Sequence, residues 1–244
     1  MNHFFNHKSY LFILAHPDDE IYSCAFIQEL AQNGKDVHVV YVTSGDYQGA
    51  ELGPIREAEA LKSMSTLGVS EEKVYFLRIP ERQLMFKIKD LLEILLKKSY
   101  AIPPDCVVTH DFEGGHNGHD AVSFVASQIA TRYGCDLYVF PAYHDWPERR
   151  LWNQFVSPRE ATDTLMLTDK MKSLKDSIIG IHNSQASFFQ TIKESSSSDA
   201  FMNREVLREI KKPMDYAQPP TTPLGYEYPG SSLRFEDFKS SINV

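Results

Sequence analysis

Short apolar runs alternate with longer amphipathic stretches from Tyr10 to about residue 143. That alternation is the pattern of parallel strands joined by crossover helices. It predicts strands over Tyr10 to Ala15, Val37 to Thr43, Val74 to Arg78, Cys106 to Thr109 and Leu137 to Pro141. The intervening helices run from Glu20 to Gln32, Ile55 to Leu67, Leu84 to Lys98 and Asp120 to Arg132, with Gly34 and Gly68 closing two of them. Beyond residue 143 the regularity weakens to one long helix from Thr168 to Gln190, a flexible loop over Ser195 to Ser198, and five prolines among tyrosines between Pro213 and Pro229. The expected architecture is an α/β, Rossmann-like three-layer sandwich on a mostly parallel sheet. Residues 1–244 form a single domain, with 213–244 an extended tail packed on it.

In an open sheet of this kind, ligands sit beyond the carboxyl ends of the strands, near the switch in strand order. His16, Ser44 to Asp46, His110 and Tyr143 all fall just after a predicted strand, so they share that rim. The densest chemistry follows the first strand, where Leu11 to Ala15 ends in His16-Pro17-Asp18-Asp19-Glu20. Imidazole and carboxylate are zinc donors, and His16 with Asp19 make a ligand pair. Asp18 between them is free to accept a proton from an activated water. The acids by themselves fit the positive end of a following helix equally well; the histidine in front of them tips the balance towards a metal.

A second constellation, His110-Asp-Phe-Glu-Gly-Gly-His116-Asn-Gly-His119, follows the fourth strand. Either His116 or His119 completes the ligand set, leaving the other to donate a hydrogen bond. Thr43-Ser-Gly-Asp46, Arg56-Glu57, His144 and His182-Asn-Ser-Gln185 are softer signals. Together Asp46, Arg56, His144 and Gln185 outline a rim suited to a small hydroxyl-rich substrate.

Charge and cysteines narrow the classes. With 25 basic and 33 acidic residues the net charge is -8, which repels a phosphate backbone, so nucleic acid is not an expected partner. Cys24, Cys106 and Cys135 are few, widely spaced and set among apolar neighbours, as reduced core thiols in a cytoplasmic protein are. No transmembrane segment or export signal is evident. The first strand ends in His-Pro-Asp-Asp where a dinucleotide-binding fold has its glycine-rich turn.

The chain resembles the LmbE-like, or PIG-L, family of zinc-dependent de-N-acetylases. Ala15-His-Pro-Asp-Asp-Glu20, Thr43-Ser-Gly-Asp46, Arg56-Glu57-Ala58-Glu59, Leu67-Gly68-Val69, Gly115-His-Asn-Gly-His119 and His182-Asn-Ser-Gln185 carry the resemblance, over residues 10 to about 190. It implies hydrolysis of an N-acyl group on an amino sugar or its conjugate, with Zn2+ as cofactor. It further implies His16, Asp19 and His119 as zinc ligands, Asp18 as general base and His116 as the charged histidine that stabilises the oxyanion or protonates the leaving amine. Many relatives have an aspartate where this chain has Gly118, so the charge on His116 needs another partner: Asp111, Glu113 or Asp120. The other class that fits is a noncatalytic metal- or ligand-binding accessory protein on the same fold. The choice of zinc or iron, the acyl group, the exact sugar and any homo-oligomeric state stay open at this level.

Overall fold

The computed structural model describes residues 3–47, 49–97, 103–146 and 149–242. Five strands run parallel: β1 (Ser9–Leu14), β2 (Asp36–Thr43), β3 (Val74–Ile79), β4 (Cys106–His110) and β5 (Asp136–Phe140). A hairpin of β6 (Tyr143–Trp146) and β7 (Arg149–Trp152) follows, and β8 (Asp163–Met166) and β9 (Arg204–Glu209) return antiparallel to extend the main sheet. The order is β3-β2-β1-β4-β5-β9-β8, so the winding reverses between β1 and β4. Ile13 pairs with Val40 on one side and Thr109 on the other, which brings the residues just past β1 and β4 to one crevice.

Strand β1 is buried on both faces, and its alternation divides the core. Tyr10, Phe12 and Leu14 face one cluster, packed by α1 (Cys24–Gln32), α2 (Leu52–Leu67) and, further along, Ile178 and Ile179. Leu11, Ile13 and Ala15 face the other, with α3 (Ile88–Lys97) and α4 (Asn117–Tyr133). These two layers about a mostly parallel sheet are the expected sandwich. Gly34 and Gly68 take φ of +68° and +88° where α1 and α2 end, a region that glycine enters freely.

Several boundaries differ from the periodicity. Asp19–Tyr22 is a 3-10 turn ahead of α1, because Asp19 is drawn back to accept the His16 N–H at 2.6 Å. Glu81–Phe86 is likewise a 3-10 turn before α3; the predicted end of that helix, Lys98, lies outside the described residues. Helix α4 begins at Asn117, three residues early, so His119 sits in its first turn. The long helix expected over Thr168 to Gln190 is broken into α5 (Asp169–Ile181), a 3-10 turn and α6 (Ala186–Glu194). The break has a partner: the Glu59 carboxylate on α2 accepts both the backbone N–H (2.9 Å) and the hydroxyl (2.5 Å) of Ser184.

The serine run is not a loose loop, since Ser197 is buried and accepts a hydrogen bond from Gln154 before α7 (Ser198–Asn203) begins. The tail is extended only in part. Tyr216, Leu224 and Tyr226 enter the second core cluster, and the amphipathic α8 (Phe235–Ile242) adds Phe235 and Phe238. Cys24, Cys106 and Cys135 are free thiols, the first two buried. Among the described residues no helix is long and apolar enough to cross a membrane.

Candidate metal centre and pocket

His16 leaves the end of β1 with both ring nitrogens engaged. Its Nε2 lies 2.7 Å from Glu81 Oε1, its Nδ1 3.2 Å from Asp19 Oδ2, and Nδ1 is also 3.3 Å from His119 Nε2. His119 Nε2 is in turn 3.4 Å from Asp19 Oδ1. Four-coordinate zinc with ligands at about 2.0–2.1 Å has donors about 3.3–3.4 Å apart, so this spacing fits a tetrahedral site with room for a further ligand. Burial alone would depress the pKa of His16, but Glu81 and Asp19 outweigh it and hold it well above the ordinary value. A divalent cation answers the same excess of negative charge as that proton.

Asp19 is fixed from a third side. His110, at the end of β4, lies 3.1 Å from Asp19 Oδ2 and stacks on His119 with ring centroids 3.9 Å apart. Although burial opposes ionisation, His110, His119 and His16 hold the Asp19 carboxyl well below the usual range. Asp18 projects beside the ligand cluster from a backbone with φ of +150°, outside the conformations that side-chain-bearing residues favour. Such outliers persist where surrounding structure over-determines them. Arg56 supplies that constraint: it pairs with Asp18 Oδ1 at 2.8 Å and donates to the carbonyls of Pro17 and Gly45. Burial still pushes the Asp18 carboxyl up to about 6, against the pull of Arg56.

His116 caps α4, its Nδ1 accepting the Gly118 N–H at 3.1 Å. That bond leaves the ring proton on Nε2, which faces Glu81 Oε1 at 3.5 Å. Desolvation and the neighbouring charge of His16 lower the His116 pKa to about 4, so this histidine is neutral near pH 7. The expected charge is therefore not there, and none of the three proposed substitutes reaches it. Asp111 is paired with Arg159 (2.9 Å) and Arg208 (2.5 Å). Glu113 accepts the N–H groups of Ala142 and Tyr143, and Asp120 those of Glu113 and Gly114. Glu20 lies outside the ligand cluster, buried against His182 at 2.6 Å.

These groups open into a cavity of about 430 Å3, lined also by Arg56, Glu81, Asn117, Tyr143, Arg150 and Gln185. Of the four expected rim residues, Arg56 and Gln185 line it. Asp46 and His144 do not: Asp46 Oδ1 accepts the Glu81 N–H at the start of the 3-10 turn, and His144 is buried 3.7 Å from Glu113. Glu81 and Arg150 escaped the sequence reading. Arg150 on β7 forms a two-bond pair with Asp145 and lies over the Tyr143 ring at 4.8 Å.

The PIG-L family model, described as GlcNAc-PI de-N-acetylase, matches residues 11–130, the span from β1 through α4 that carries both histidine constellations. The chain carries a PIG-L (LmbE-like) family domain. A probable N-acetylglucosaminyl-phosphatidylinositol de-N-acetylase of Dictyostelium discoideum is 37% identical over 73 residues, covering 28% of this chain and 26% of that protein. The match thus spans about a quarter of that relative's length. Among solved structures, the N,N'-diacetylchitobiose deacetylase of Pyrococcus horikoshii aligns with a TM-score of 0.61 at 22% identity, over 86% of each chain. A deacetylase of teicoplanin biosynthesis aligns at 0.59 and 15% identity, over 84% of this chain and 100% of that one. The 4-carboxy-2-hydroxymuconate hydratase of Pseudomonas putida aligns at 0.55 and 17% identity, over 85% and 98%. At these identities the likeness is one of fold, and one fold hosts more than one chemistry.

Proposed function

We propose that the protein is a zinc-dependent hydrolase that removes an N-acetyl group from an amino sugar or its conjugate. The observation that carries this reading is the convergence of His16 Nδ1, His119 Nε2 and the Asp19 carboxylate at 3.2–3.4 Å, with Asp18 alongside. His16, Asp19 and His119 would hold the ion. When bound, zinc supplies Lewis acidity, lowering the pKa of water and polarising an amide carbonyl.

The residues divide the remaining work. Asp18 takes the proton that water loses as it attacks the carbonyl carbon; Arg56 engages Oδ1, and Oδ2 has no hydrogen bond among the described residues. With a pKa of about 6, Asp18 is mostly ionised near neutral pH yet basic enough to accept that proton. Neutral His116 donates its Nε2 proton as a hydrogen bond to the carbonyl oxygen while negative charge builds there. Asp18 then returns its proton to the departing nitrogen, giving free amine and acetic acid, which loses its remaining proton to solvent as acetate. Arg56, Glu81, Asn117 and Gln185 give the wall polar groups suited to sugar hydroxyls. Free Cys24, Cys106 and Cys135 support a cytoplasmic setting.

The accessory-protein reading is weaker on one observation. A carboxylate buried beside a ligand cluster and held by an arginine is costly unless it acts. The test is release of free amine from N-acetylglucosamine, its glycosides and N-acetylated thiol conjugates in the presence of zinc. Release from at least one sugar supports the hydrolase. Metal binding with no release from any substrate would move the assignment to a binding protein.

A further inference from the structure

We propose that His3, His7 and Asp136 form a second metal site, which takes a divalent transition ion that favours imidazole and clips the amino-terminal segment to the sheet. The three meet at the edge of the sheet opposite the pocket. His7 stands two residues before β1 and Asp136 opens β5, whereas His16 leaves β1 at its other end, and a strand of six residues is about 20 Å long. Nothing in the deacetylase reading uses this cluster.

Geometry carries the proposal. His7 Nε2 lies 3.4 Å and His3 Nδ1 3.9 Å from the same Asp136 oxygen, Oδ2, and the three residues bring their donor atoms within 4.8 Å of one another. The first separation already matches the spacing of about 3.3–3.4 Å between donors of a tetrahedral zinc. The second needs a small turn of the His3 side chain, which is 62% exposed. Ligation would take His3 Nδ1 from the Tyr138 hydroxyl, 3.3 Å away. Two imidazoles and one carboxylate, with water filling the rest of the shell, suit zinc, copper or nickel and not magnesium or calcium.

Two further observations separate the cluster from an ordinary surface ion pair. His7 Nε2 is buried and has no hydrogen-bond partner among the described residues, an arrangement that folded proteins avoid unless an ion or water answers it. Among the described residues Asp136 has no lysine or arginine within ion-pair distance, so its charge faces the two imidazoles alone. Asp36 and His38 in β2 show the contrast: there Lys73 Nζ, 2.7 Å from Asp36 Oδ1, supplies the cation. The backbone of the proposed site is also set in advance. Phe4 is fully buried, and its ring meets Tyr10, Phe26 and Tyr138 at 5.0–5.3 Å, which pins the 3-10 turn His3–Asn6. The Tyr10 hydroxyl donates to the Phe4 carbonyl at 2.5 Å, and Lys35 Nζ to that of His7 at 2.7 Å. Asp105 accepts the N–H groups of Lys8 and Ser9, where the chain enters β1. Held so, the histidines have little backbone freedom left to lose when they bind an ion.

The probe is zinc. Wild type, His3→Ala and Asp136→Asn, both substitutions at exposed side chains, are dialysed against free zinc buffered up to about 100 µM, and the bound metal is counted. The wild type should bind one ion more than either variant, because losing one of three protein ligands weakens that site by about tenfold or more. Zinc at about ten times the Kd of this site should raise the Tm of the wild type by about 3–6 °C over that of the variants. Amine release should be the same in all three proteins. Equal zinc binding by wild type and variants, whether of one ion or two, overturns the site. The count makes no use of turnover, so its outcome stands whether or not the protein proves to be a deacetylase.

Discussion

Replacing Glu81 by alanine removes the carboxylate that holds His16 Nε2 and that would thereby leave Nδ1 as the nitrogen available to a metal. Glu81 Oε1 is 2.7 Å from His16 Nε2 and the residue is 6% exposed, so this is a desolvated, charge-assisted hydrogen bond. Burial works against its charge, but the charge and hydrogen bond of His16 bring its pKa down to about 2. Such bonds are worth about 1.5–3 kcal/mol. Keeping the proton on Nε2 leaves the Nδ1 lone pair aimed at Asp19 and His119, and losing that orientation should weaken zinc binding about ten- to a hundredfold. Glu81→Gln keeps an oxygen that can accept from Nε2, so its loss should be smaller than that of Glu81→Ala. The assay is the zinc Kd in a chelator-buffered titration, with circular dichroism as the check on folding. A folded Glu81→Ala variant with a Kd within about twofold of the wild type would refute the positioning argument.

Other substitutions separate chemistry from architecture. Asp18→Asn should keep its zinc and lose turnover by about 10²–10⁴-fold in an amine-release assay, as expected when a general base is neutralised. Glu205 is fully buried and accepts the N–H groups of Ala25 and Phe26 at the start of α1, with Lys175 3.5 Å away and equally buried. Glu205→Ala should destabilise the fold by about 3–5 kcal/mol in urea unfolding, and adding Lys175→Met should recover part of that loss by removing the stranded charge. At Gly115 a Cβ would overlap the Tyr143 carbonyl oxygen, so Gly115→Ala should push the His116 to His119 segment outward, costing about 1–3 kcal/mol in denaturant unfolding along with weaker metal binding.

How far the sequence reaches is uneven, for physical reasons. Strands β1, β2, β4 and β5 were legible because strands buried on both faces leave continuous apolar runs. His16, Asp18 and Asp19 stood out because they follow the first of those runs directly, whereas spacing left His116 and His119 level and only the family resemblance chose between them. Glu81 did not stand out, although it lies two residues past β3 and so meets the same test of position that singled out Asp46 and His110. The charged run Glu81-Arg82-Gln83 looks like an exposed helix start, and only the fold turns its first residue inward. His144 failed in the opposite way: a histidine just after a strand turned out to be buried behind the pocket. Arg150 lies on a four-residue strand too short for a periodic signal, and the break at Ser184 depends on Glu59 from another helix. The neutral state of His116 depends on a bond to Gly118 N–H and on the charge of His16, neither of which spacing alone can weigh.

The central claim is metal-assisted deacylation at the His16, Asp19 and His119 cluster, and metal removal tests it most directly. Protein stripped with a chelator should release no amine from an N-acetylated amino sugar that the untreated enzyme hydrolyses. Activity should return as zinc is added back to about one equivalent per chain. Undiminished turnover by protein shown to be free of metal would contradict the account.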